Sequence, residues 1–88
     1  MNALRRKTLK NIVASLEAMD EMRQMILDEL YQVMGEEMNA YDNMPESLQE
    51  SERGQQMLEY YDIIEGVHDE LDSLDLDTLM DGIREICE

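Results

Sequence analysis

His68, Cys87 and the serines Ser15, Ser47, Ser51 and Ser73 are the residues of this chain with the makings of nucleophilic or acid–base chemistry. A serine attacks only when a base removes its proton, and on a helix that base must stand three or four residues away. None of the four serines has a basic side chain at that spacing, and His68 and Cys87 fall on different phases of the C-terminal half. Metal chemistry fares no better. Glu65-Gly66-Val67-His68 has the spacing of a helical carboxylate–histidine ligand pair, but it occurs once, where such centres draw on four helices. Asp72, Asp75, Asp77 and Asp81-Gly82 have the composition of a calcium loop without its order, since Leu79 and Met80 stand where ligands are required. The expectation is a protein with no catalytic residues, no metal and no cofactor, and therefore not an enzyme.

The remaining chemistry is charge. Seven basic and 22 acidic residues give 88 residues a formal net charge of −15. The first ten residues hold Arg5, Arg6, Lys7 and Lys10 and no acid, while residues 11–88 hold three bases and 22 acids, a local −19. Such a surface repels nucleic acid and attracts a basic partner. Glu59, Asp62, Glu65, Asp69 and Asp72 recur at three- and four-residue steps and so form one ridge, about 20 Å long at the helical rise. That is one charge every 4–5 Å or so, close to the roughly 3.4 Å between charges along a DNA strand. The plain alternative is that the acids only solvate an outer helix face.

The elements that carry these residues are helices. From Leu9 to Tyr41 the apolar residues recur at steps of three and four, the mark of one amphipathic helix about 50 Å long. With Leu9 at heptad position a, Ile12, Met19, Ile26 and Val33 fall at d, and an a/d seam is expected. Val13, Leu27, Met22 and Met25 are then left poorly covered. Met22 and Met25 beside Ala18 make a second strip of small and adaptable side chains, suited to self-association or to a partner protein. Arg23, at an a position, is expected at the seam edge opposite Leu71 and Asp72.

Residues 42–51 are expected to turn the chain. Pro45 lacks an amide proton and drives Met44 out of the helical region. Asn43 suits a left-handed residue after a helix end, and Ser51 suits the cap of the next helix. In that helix Met57, Ile64 and Leu71 fall at a, Tyr60, Val67 and Leu74 at d, and His68 at a half-buried e position. The phase changes with Leu76, Leu79, Met80, Ile83 and Ile86, so the second arm bends or breaks near residues 73–77, with Asp75 or Asp77 as the cap. The fold class expected is all-α: one acidic helical domain over residues 1–88, a long antiparallel hairpin with a bent or separate C-terminal helix. A core without Phe or Trp is thin for such a chain, which points to a homodimeric bundle.

The turn Tyr41-Asp-Asn-Met-Pro-Glu-Ser-Leu-Gln-Glu-Ser-Glu-Arg-Gly54, followed by an acidic helix with apolar residues at heptad spacing, resembles small helical-hairpin proteins of bacteriophages and mobile elements of Firmicutes. The resemblance spans roughly residues 38–74. It implies a hairpin fold and a phage-like setting, and it brings no activity and no functional residues.

Together these readings favour an inhibitor of the anti-CRISPR or anti-restriction kind. Its ridge of Glu59, Asp62, Glu65, Asp69 and Asp72 would occupy the groove of a basic nucleic-acid-binding protein of the host. The alternative is an adaptor coiled coil that assembles through Met22, Met25 and Ala18. One cysteine excludes an internal disulfide, and no stretch has the length of a membrane span or a signal core, so the expected setting is the bacterial cytoplasm. No direct nucleic-acid binding is expected, because the four early bases are opposed by the −19 that follows.

Overall fold

A computed structural model of the chain describes residues 1–87, and their order is α1 (Ala3–Asp42), α2 (Glu46–Gln49), α3 (Glu52–Asp72) and α4 (Leu76–Cys87). The fold is all-α, with α1 and α3 as the arms of a helical hairpin and a separate C-terminal helix. Asn2 starts α1: its side-chain oxygen accepts from the Arg5 amide at 2.8 Å, satisfying one of the orphan donors of the first turn. The chain forms two compact units, one of residues 1–24 with the C-terminal stretch from Leu74, the other Met25–Ser73.

In the second unit the connection between α1 and α3 is itself partly helical. Asn43 continues the helical bonding, its amide donating to the Asn39 carbonyl at 3.0 Å. Its backbone is not left-handed, contrary to expectation: among the described residues no φ is positive. Pro45 instead stands at the start of α2 with φ −57° and ψ 146°, and its carbonyl accepts from Leu48 and Gln49 at 2.8 and 3.0 Å. The proline thus ends one helix and opens the next, which removes any need for a left-handed residue. Gln49 closes the turn, its side chain donating to the Tyr41 carbonyl at 2.8 Å. Ser51 caps α3 as expected, accepting from the Gly54 amide at 3.4 Å while its hydroxyl donates to the Leu48 carbonyl.

Gly54 is buried and has a role that the sequence did not reveal. A β-carbon there would lie 2.6 Å from the Leu48 carbonyl oxygen and closer still to that of Gln49. Only a residue without a side chain lets α3 pass this close to the end of α2. Gly66 is the opposite case, with open space where its β-carbon would be.

The second arm breaks where the change of phase predicted. α3 ends at Asp72, and Asp75 caps α4, accepting from the Thr78 amide at 3.0 Å and from its hydroxyl at 2.5 Å. In the first unit α4 runs antiparallel to the start of α1. Arg84 reaches Glu17 at 2.8 Å, while Cys87, three residues on, shares a hollow with Lys10 and Val13, earlier in α1.

The covered stripe is not the a/d seam that heptad counting suggested. On α1 it runs Leu9, Val13, Leu16, Asp20, Arg23, Leu27, Leu30 and Met34, which are a and e positions. On α3 it runs Met57, Tyr61, Ile64, His68 and Leu71, again a and e, and on α4 Leu76, Met80, Ile83 and Cys87 repeat the same steps. The d residues Ile12, Met19, Ile26 and Val33 are instead 40–57% exposed, and Tyr60, Val67 and Leu74 are 50–53% exposed. Val13 and Leu27, expected to be poorly covered, are buried and half-buried. The apolar arc is three positions wide, d, a and e, and a single neighbouring helix covers two of them. Periodicity could not say which two, because either edge keeps the three-and-four spacing.

Gly54→Ala is expected to destabilise the fold by about 1–3 kcal/mol, the usual cost of forcing atoms into a filled space. Gly66→Ala should stabilise it by about 1 kcal/mol through helix propensity alone. Urea denaturation of the two variants beside the parent chain reads both signs.

Candidate protein-binding surfaces

The five acids of the ridge all stand on α3, which is unbroken from Glu52 to Asp72, and all five are exposed. Their three-residue steps fall short of a full turn, so the row drifts around the outer face as it ascends. The ridge keeps to b, c and f positions, away from the d residues Tyr60 and Val67. Asp69 stands beside the histidine, its Oδ1 lying 3.3 Å from His68 Nδ1. His68 is otherwise half-buried in the seam, as its e position implied. Among the described residues no cation pairs with Glu59, Asp62 or Glu65.

Two bases elsewhere are engaged. Arg23 Nε lies 2.9 Å from Asp20 Oδ1, one turn back on its own helix. Arg84 bridges Glu17 and, at 3.3 Å, Asp81. Glu17 above all raises the affinity of the Arg84 guanidinium for its proton, with Asp81 adding to it. Sequence reading missed the Glu17–Arg84 pair, since 67 residues separate its members and no local spacing marks it.

That pair also fixes the geometry of the first unit. Glu17 and Arg84 are both b positions, so the b flanks of α1 and α4 lie on one side of the antiparallel pair. Their d flanks must then share the other side, where Ile12 and Met19 of α1 join Leu79 and Ile86 of α4, all exposed. The Met22, Met25 and Ala18 strip is open as expected, with both methionines 64% exposed. Met22 borders the d flank of the first unit, whereas Met25 belongs to the second. In that second unit Tyr31, Met34 and Met38 of α1 border a hollow with Tyr61 of α3, on the b and e side, and Ile26, Val33, Tyr60, Ile63 and Val67 remain exposed.

No three His, Cys, Asp or Glu side chains among the described residues stand close enough to hold a metal ion. No helix among them is long and apolar enough to cross a membrane. Comparison with protein families, characterised proteins and solved structures yields no match for this chain.

The cap of α4 responds to acid. Bonds from the Thr78 hydroxyl and then the Thr78 amide hold the Asp75 carboxyl below its ordinary value of 3.8. A carboxylate with a depressed pKa contributes stability that is complete above pH 3.8 and fades as pH falls through the folded-state value. Asp75→Asn is expected to keep the cap and remove this acid step, whereas Asp75→Ala should fray the first turn of α4 at every pH. Amide exchange at Asp77 and Thr78, followed from neutral pH downward, distinguishes the two variants.

Proposed function

We propose that this chain inhibits a nucleic-acid-binding defence protein of a bacterial host, in the manner of anti-CRISPR or anti-restriction proteins, with a phage or mobile element as its source. The observation that carries the proposal is the ridge of Glu59, Asp62, Glu65, Asp69 and Asp72, five exposed carboxylates on one unbroken helix. A straight rod with charges at nearly the spacing of a phosphate backbone fits a basic groove shaped for a nucleic-acid strand. The net charge of −15 steers it there and raises its rate of encounter with a basic target. The resemblance of the Tyr41–Gly54 turn to phage-borne hairpins supports the setting, which would be the host cytoplasm.

A second reading is favoured by a different observation. Met22 and Met25 are exposed and adaptable, with Ala18 beside them, so the chain could serve as an adaptor that docks another protein without inhibiting anything.

Two variants separate these readings in a pull-down from host extract with nucleic-acid competition. Neutralising the ridge, Glu59→Gln, Asp62→Asn, Glu65→Gln, Asp69→Asn and Asp72→Asn together, is expected to lose capture and inhibition while helicity persists. Met22→Asp with Met25→Asp should leave both intact. Capture by the parent chain should weaken with salt and be displaced by DNA or RNA. Full capture by the neutralised chain, or its loss with the methionine pair alone, would reject mimicry in favour of the adaptor.

A further inference from the structure

We infer that the exposed d flank of the first unit is the docking surface for a second copy of this chain, and that two copies close a four-helix arrangement across it. This inference is independent of the acidic ridge. The flank presents Leu4, Ile12, Met19 and Met22 from α1 and Leu79 and Ile86 from α4, all at least 42% exposed.

Three observations select a second copy as the occupant. The first is cover. Among the described residues only Val13, Met34 and Met80 count as core, at 9%, 7% and 3% exposure, and no side chain is fully buried. A two-helix layer with one apolar side is half of a bundle, and the same layer turned about a two-fold axis completes it.

The second observation is area. A large side chain about half open leaves on the order of 100 Å² exposed, so these six leave roughly 600 Å², approaching the ~800 Å² per partner of a stable interface. The intervening positions Thr8, Ser15, Ala18 and Gly82 are small, which lets backbones approach closely.

The third observation is charge. In a chain with 22 acids, the d and g positions of α1 in this unit hold none, and those of α4 hold one, the cap Asp75, so few like charges meet across the interface. A basic partner would find a single carboxylate here to pair with.

The test uses the full chain in sedimentation equilibrium together with site-directed cross-linking. The parent is expected at twice the chain mass at low micromolar concentration. Met19→Asp should weaken self-association on the order of 100-fold or more, as an uncompensated charge in a dry interface does. Glu17→Gln, on the opposite flank, should leave it within a few-fold. Because Met19→Asp could disturb folding, Ala18→Cys is made in parallel in a Cys87→Ser background. Mild oxidation should link its two copies rapidly, while Glu17→Cys in the same background should remain unlinked. A parent that stays monomeric at tens of micromolar, or a Glu17→Cys chain that links as fast as Ala18→Cys, would overturn the inference.

Discussion

Each long helix of this protein carries an apolar arc wider than a single neighbour can cover. Positions d, a and e are mostly apolar along α1, α3 and α4, with Asp20, Arg23, Glu37 and His68 among the polar interruptions, and packing in each unit covers a and e. The mismatch governs much else in the structure. Among the described residues it leaves a core of only Val13, Met34 and Met80, and it leaves an open apolar margin on the side of the α1–α4 layer away from the Glu17–Arg84 pair. It also separates surface chemistry by face. On α3 the five ridge acids occupy b, c and f while the open apolar residues occupy d and g, where Glu70 is the one acid, so the ridge and the open apolar residues lie on different sides of the same helix.

The charges tell a related story. α1 has no acid in its first turn and no base in its last, the reverse of what the helix dipole rewards. Surface charge at both ends of the longest helix is therefore placed against the local stability of that helix. The shorter helices follow the dipole instead, with Glu46, Glu52 and Asp77 in the first turns of α2, α3 and α4 and Arg84 in the last turn of α4.

The sequence made the helices, the break after Asp72, the caps at Ser51 and Asp75 and the half-buried place of His68 legible, because each depends on a few adjacent residues. The seam was harder. Ile12 and Val13 are equally apolar neighbours, and only the direction from which α4 approaches decides which is covered. Asn43 was misread because Pro45, two residues on, could open a short helix as well as end a long one. Gly54 could not be read at all: its neighbour is the backbone of Leu48 and Gln49, and backbone proximity leaves no trace in residue type. The Glu17–Arg84 pair was hidden by its span. Of the candidate surfaces, the exposure of the ridge, of Met22 and Met25 and of Ala18 was legible, and the d flank was not, since heptad counting assigned it to the interior.

The turn has a consequence in time. Its bonds join residues no more than eight apart, from Gln49 to Tyr41, from Gly54 to Ser51 and from Ser51 to Leu48. Closing such short loops costs little chain entropy, and the cost grows with separation. The Glu17–Arg84 pair must close 67 residues. Folding is therefore expected to start at the proline and spread outward as the ends of α1 and α3 come together. The contact between the chain's two extremes would form last and open first. Pulse-labelled exchange would record protection of α3 before α4, and the reverse order would argue that the long loop, not the turn, nucleates the chain. A protein built this way is assembled from its middle, and the flank inferred to meet a second copy is among the last surfaces to exist.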